Sequence, residues 1–279
     1  MPTCYRHPSR ETGVSCSSCG NPICPDCMTP TPVGMRCPEC SRDRTKVRTL
    51  KSTATEPRVT YVLIGLNVAV FIGEIVTGGG LASLGSGGSL ISNGGLNGPA
   101  VAFQNEYWRL VTSGFLHAGM LHLLFNMYML FILGRLLEPA VGSMRFTIIY
   151  FVSLLFGSLG ALLWDPLVLT VGASGAVFGL MGAAVVTLRA RGMDPFAGGI
   201  GGLLALNLLI TFVIPGISIG GHVGGLIGGV LSGWLLVDVA DRQSSRVPAT
   251  VASVLLGFGA VAASVAVADG SGRIFGLLG

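Results

Sequence analysis

Seven long apolar blocks, at about 59–77, 115–137, 144–164, 172–188, 199–214, 218–237 and 249–268, occupy most of this 279-residue chain. Each approaches the roughly 20 residues that cross a hydrocarbon core. Inside lipid a segment must satisfy its own backbone polar groups, so apolar blocks of this length fold as helices. Only 11% of residues are charged, against about a quarter in a typical soluble domain. The sequence therefore predicts an all-α polytopic membrane protein. The fifth block is short and Gly-rich, and the seventh is rich in Ala and Val.

Charge sets the expected topology. With the N-terminus inside, the inner ends of the blocks carry Arg135, Arg145, Arg189, Arg191, Arg242 and Arg246. The outer connections carry Glu106, Arg109 and Asp165, and the tail carries Asp269 and Arg273. This is the positive-inside pattern. It predicts a multi-pass protein of the plasma membrane with a cytoplasmic N-terminus and an external C-terminus. The net charge of +4 is spread over block ends, so it is not a nucleic-acid footprint. No apolar core opens the chain, so no cleavable signal peptide is expected.

Four segments follow from composition. Residues 1–45 form a Cys-rich head, 46–58 a basic linker with Lys46, Arg48, Lys51 and Arg58, 59–238 the membrane core, and 249–268 an additional helix. The first external connection, about 78–114, begins with GGGLASLGSGGSLISNGG, which reads as flexible. It ends in Tyr107, Trp108 and Arg109, an aromatic–cation group suited to the membrane interface.

All seven cysteines lie in the head, in the spacing C-x2-H followed by three C-x2-C pairs. The candidate ligands are Cys4, His7, Cys16, Cys19, Cys24, Cys27, Cys37 and Cys40. Eight N/S ligands in four pairs fill two closed tetrahedral sites, which predicts two structural Zn2+ ions and no catalytic metal. Cytosolic thiols stay reduced, which disfavours a disulfide knot. So small a head builds little core, so metal would supply most of its folding energy. Adjacent or alternate pairs could share an ion. The arrangement resembles B-box-type zinc fingers. That resemblance implies alternate pairing, Cys4, His7, Cys24 and Cys27 around one ion and Cys16, Cys19, Cys37 and Cys40 around the other. The head has two readings, a module that binds a cytosolic protein partner, as the resemblance to finger modules implies, or a folding cap without a partner.

In the membrane core, polar side chains gather at one depth. With the topology above, the second, fourth and sixth blocks run inward. His122 and Asn126 lie early in the second, Ser174 at the start of the fourth and His222 early in the sixth. Each is then within roughly 10–15 Å of the outer boundary at 1.5 Å per residue. His122 and Asn126, four apart, share a helix face. Gly175, Gly179 and Gly182 follow Ser174, and Gly221, Gly225 and Gly229 flank His222. Such small-residue ridges let membrane helices approach closely, which would bring Ser174 towards His222. A serine beside a buried imidazole is the smallest activated nucleophile. No acidic residue stands at that depth to orient the imidazole, so the pattern predicts a dyad. The Ser174 backbone N–H, His122 and Asn126 are candidate oxyanion donors. Singly, a Ser in GASG is a packing residue and a His or Asn in a span an interhelical hydrogen bond. Their coincidence in depth and in glycine register favours chemistry.

At these residues the chain resembles the rhomboid intramembrane serine proteases over about 59–238. EYWR at 106–109 is similar to the family's external-loop motif, and HAGMLHLLFN at 117–126 to its second-helix motif. GRLLEPAVGSMRF at 134–146 is similar to the turn that follows, with Glu138 in the expected place. GASG at 172–175 and GHVGGLIGG at 221–229 are similar to the nucleophile and base motifs. The resemblance implies a six-helix core and a Ser174–His222 dyad with an oxyanion site from His122, Asn126 and Ser174. It implies structural roles for Trp108, Arg109, His117, Glu138, Gly172, Gly175, Gly225 and Gly229. The implied activity is cleavage of single-span membrane proteins near their external end, within the lipid bilayer. A non-catalytic membrane-protein binding module on the same fold is the alternative. A transporter is disfavoured, since no inverted repeat or midplane acid is visible.

Overall fold

The structure, a computed structural model, describes residues 1–42, 56–78, 88–197, 199–243 and 245–276, with side chains to 270. Lys46, Arg48 and Lys51 of the linker, and 79–87 of the Gly/Ser-rich stretch, lie outside them. The chain divides into two compact units, Met1–Ala54 and Thr55–Gly279.

The first unit has little regular structure. Strands β1 (Thr29–Thr31) and β2 (Gly34–Arg36) pair antiparallel, and a short helix α1 (Pro38–Arg42) follows. Its buried apolar cluster is Ile23 with five of the cysteines, Cys4, Cys16, Cys24, Cys27 and Cys37. A core made mostly of thiols has little apolar area to stabilise it.

The second unit is mostly helical among its described residues. Five of its helices are long and apolar enough to cross a membrane: α2 (Arg58–Val76), α6 (Met120–Val141), α7 (Ser143–Trp164), α10 (Ile219–Arg242) and α11 (Val247–Gly276). Two apolar helices are shorter, α8 (Ser174–Ala190) and α9 (Ile200–Val213). The protein is an all-α, multi-pass membrane protein.

Where helices begin and end corrects several expectations. The second block does not start as helix at 115. Phe115 ends a short 3-10 helix (Ser113–Phe115), residues 116–119 are irregular, and Gly119, at φ 125°, opens α6. That helix continues to Val141, so Glu138 sits in its last turn and not in the connection. Gly142, at φ 90°, ends α6 and starts α7 at once, a left-handed backbone that suits glycine alone. The fourth block is helical only from Ser174. At 17 residues α8 is about 25 Å long, short of the ~30 Å hydrocarbon core. The chain reaches it through a non-helical stretch in which Thr170 and Leu96 exchange both backbone hydrogen bonds, at 2.8 and 3.0 Å.

The described part of the connection between α2 and α6, residues 88–119, has regular structure that its composition does not suggest. Helices α3 (Ser89–Gly94), α4 (Gly98–Phe103) and α5 (Arg109–Thr112) occupy it. Asn97 caps α4 by accepting the Ala100 N–H at 2.9 Å. Arg109 is buried, and its Nη1 donates to the carbonyls of Ser92 (2.8 Å) and Gly95 (2.6 Å) while its guanidinium pairs with Glu106. A cation thus ties α5 to the C-terminal end of α3. Trp108, the residue before α5, is about half exposed.

The Glu138 carboxylate, with no exposure, accepts the N–H groups of Val59 (3.0 Å) and Thr60 (2.8 Å) and the hydroxyls of Thr60 and Ser143. The first N–H groups of α2 have no intrahelical partner, and this carboxylate satisfies two of them. The core around it includes Leu130, Leu133, Phe146, Tyr150, Leu180 and Met181. Helix α11 packs along α7 and α4.

Candidate functional site

Glycine register places the site. Cβ atoms on Gly225 and Gly229 would overlap the backbone of Gly175 and Gly179, and one on Gly233 would come within 3.0 Å of Ala183. Helices α8 and α10 therefore meet backbone to backbone over three turns. A second ridge on α10 was not foreseen. Cβ atoms on Gly220 and Gly224 would overlap Gly160 and Phe156 of α7. No other residue type permits α10 to lie this close to both neighbours.

This packing brings Ser174 and His222 to one level. Ser174 opens α8, and Phe178, one turn on along the same face, stacks its ring on His222 with centroids 4.1 Å apart and planes 20° apart. The His222 ring is nearly buried, and its Nδ1 lies 2.7 Å from Thr211 Oγ1 on α9. No hydrogen bond joins Ser174 Oγ to His222 among the described residues. Phe178 and Thr211 were not anticipated. Phe178 reads as an ordinary apolar residue, and a lone Thr in an apolar helix gives no pattern.

Across the site, His122 Nδ1 accepts the Ala118 N–H at 3.3 Å. This leaves Nε2 as the protonated nitrogen, because a neutral imidazole donates from one nitrogen and accepts at the other. A Cβ on Gly172 would lie 2.7 Å from that Nε2 and 3.7 Å from Ser174 Oγ. The imidazole thus borders the serine across a gap that only glycine leaves open, and Gly172 itself has φ +126°. Asn126, on the same face as His122, donates one amide hydrogen to the His122 carbonyl at 2.9 Å. An amide carries two.

His117 is buried, its ring edge-on to His122 with centroids 5.1 Å apart. Its backbone N–H donates to the carboxylate of Glu74 on α2 at 3.0 Å. Glu74 is 2% exposed. The sequence did carry a signal for it, because an acidic residue inside an apolar block is rarely idle.

A cavity of about 30 Å³ touches Ser174 and is lined also by Ser113, Ser158, Thr170 and Ser218. That exceeds the ~10–15 Å³ a single water requires. A larger cavity of about 460 Å³, lined by Trp164, Asp165, Thr170 and Ser218 among others, adjoins it. The arrangement can present a hydroxyl, an imidazole, hydrogen-bond donors and water to one carbonyl group.

In the head, two clusters have the geometry to hold a metal ion. One is Cys4, His7, Cys24 and Cys27, the other Cys16, Cys19, Cys37 and Cys40. His7 Nδ1 lies 3.3, 3.4 and 3.9 Å from the sulfurs of Cys24, Cys27 and Cys4, and Cys19 and Cys37 sulfurs are 3.8 Å apart. Ligands at ~2.3 Å from a tetrahedral ion stand about 3.5–3.8 Å from one another, so the donors fit. All seven cysteines are free. Backbone N–H groups of Ser18 and Cys37 point at Cys16 Sγ. The N–H groups of Cys19 and Cys37 lead in lowering that thiol to about 6, towards the ligating thiolate form.

A multi-pass helical membrane protein that sets a half-buried serine and three histidines, two of them buried, along glycine seams is the class that this fold and site define. Residues 104–239 match the rhomboid domain model. The chain is 37% identical over 144 residues to the putative rhomboid protease YdcA of Bacillus subtilis, which covers 50% of this chain and 72% of that protein. It is 34% identical over 172 residues to the rhomboid protease GluP of the same bacterium, covering 60% of this chain and 32% of GluP. It is also 37% identical over 103 residues to the inactive RHOMBOID-like protein 8 of Arabidopsis thaliana, covering 37% and 29%. The match thus spans about a third of GluP and less of the plant protein. The chain belongs to the rhomboid family.

Proposed function

We propose that this protein is an intramembrane serine endopeptidase that cleaves single-span membrane proteins near the external end of their transmembrane segment. The observation that carries this reading is the level shared by Ser174, the Phe178-stacked His222 and the His122 Nε2. Two relatives named as rhomboid proteases support it.

Ser174 Oγ attacks the scissile carbonyl carbon while its proton passes to His222 Nε2. For this transfer the two side chains close a hydrogen bond in the substrate complex, as catalytic pairs commonly do. The carbonyl oxygen becomes an oxyanion. It accepts from the Ser174 N–H, unpaired because it opens a helix, from His122 Nε2–H and from the second amide hydrogen of Asn126. The C–N bond breaks, and His222 returns the proton to the leaving amine. Water from the cavity then attacks the acyl ester, its proton going to His222. The ester C–O bond breaks, His222 returns that proton to Ser174 Oγ, and the peptide acid departs.

In the same reading the N-terminus is cytoplasmic, the C-terminus external and the host membrane the plasma membrane. The two head clusters hold Zn2+, which cross-links a unit with almost no apolar core, and the head is a B-box-like module that engages a cytosolic protein. A non-catalytic binding module is the opposing reading, but both the hydroxyl and the imidazole are present. The test is cleavage of a model single-span substrate in proteoliposomes. Ser174→Ala and His222→Ala are each expected to abolish cleavage with the fold retained. Undiminished cleavage by either variant removes the dyad.

A further inference from the structure

We infer that Thr211 is a positioning residue for the base, fixing His222 in the tautomer that accepts the serine proton. This deepens the proposed mechanism and rests on His222 being the base. Both groups are buried, Thr211 at 1% exposure and His222 at 8%, with 2.7 Å between Thr211 Oγ1 and His222 Nδ1. A hydroxyl has a single hydrogen and two lone pairs. Thr211 Oγ1 donates that hydrogen to the Asn207 carbonyl one turn back, at 2.8 Å. Its oxygen therefore faces the ring as an acceptor, and His222 Nδ1 carries the ring proton. Nε2 is left with the lone pair that general-base chemistry needs.

Two contacts then define the ring. The Phe178 stack sets its plane, and the Thr211 bond sets its rotation within that plane and its tautomer. In soluble serine hydrolases a carboxylate has this task. Among the described residues no carboxylate bonds His222. A hydroxyl suits a bilayer, where a buried carboxylate carries a heavy desolvation cost and a hydroxyl bonded on both sides does not. The base on α10 thus depends on a residue of α9, a short helix that holds none of the residues proposed to act on substrate.

The test is kinetics in proteoliposomes on Thr211→Val, which keeps the shape and removes the oxygen, and Thr211→Ser, which restores it. T211V is expected to lower kcat by about tenfold, the rate equivalent of one lost hydrogen bond, with KM unchanged. T211S is expected to return within about threefold of the parent. Wild-type kcat in T211V, or an equal loss in T211S, overturns the inference. Folding of the variants does not decide the matter alone. The chain has four histidines, so 15N-histidine NMR of the unmodified protein reads the tautomer directly. A protonated Nδ1 on His222 is expected, and a bare Nδ1 overturns the assignment. If instead S174A or H222A cleaves normally, the dyad itself fails. If those are inactive and T211V is normal, only the role of Thr211 fails.

Discussion

Gly172 separates two polar groups that a single methyl would push apart. Its backbone is left-handed, and a Cβ there would sit 2.6 Å from His122 Cε1. Gly172→Ala is therefore expected to displace the imidazole from the oxyanion position. It should lower kcat by about 100-fold, the scale of a 1 Å misplacement, with a small change in KM. Steady-state kinetics on a transmembrane substrate check this, and an unchanged kcat would show that His122 does not bear on the reacting oxygen. At this scale the sequence was informative where a residue broke the local rule. Histidines, an asparagine and a serine inside apolar blocks stood out against a chain poor in charge. Phe178 and Thr211 did not, because each obeys the composition of its helix and acquires its role from a partner 44 or 11 residues away. Glu74 broke the rule as plainly as the histidines. Its partner is a backbone N–H in another segment, which no side-chain motif marks.

Among the elements, α10 has the least freedom. One of its ridges meets α8, and another meets α7. The glycine spacing showed that α10 approaches something closely, and the matching ridge on α8 identified one neighbour. Gly157 and Gly160 on α7 are too few to announce the second. Gly229→Leu is expected to destabilise the protein by about 1–3 kcal/mol or more, since overpacking here meets backbone and not a movable side chain. Thermal unfolding in detergent checks the sign, and an unchanged midpoint would mean the seam is open. Glu74→Leu removes the acceptor that ties α2 to the turn before α6. It is expected to cost about 1–3 kcal/mol by orphaning the His117 N–H, and Glu74→Gln, which keeps an acceptor oxygen, should cost less. The connection between α2 and α6 shows the converse limit on reading elements. Its glycines and serines suggest slack, yet the segment around α3 and α4 is fixed by Arg109 and Asn97, contacts that composition does not express.

For the whole molecule, the two units rest on different physics. The membrane unit is held by helix packing around glycine seams, whereas the head has almost no apolar core and two Cys/His clusters that could hold a metal ion. Chelation is therefore expected to unfold residues 1–42 and release about two Zn2+ per chain, four ligands to each tetrahedral ion. A colorimetric zinc assay and 1H–15N NMR of the head check this, and a head that stays folded without metal would contradict it. Cleavage of a generic substrate should survive chelation, because both head sites are closed and no ligand belongs to the membrane site. The central claim concerns the hydroxyl at the start of α8 and is most directly tested by covalent labelling. The folded protein in mild detergent is treated with a fluorophosphonate, digested and mapped by mass spectrometry. A single adduct on Ser174, absent after His222→Ala, is the predicted result. An unmodified Ser174 in protein shown to be folded, or an adduct on another residue, would contradict it.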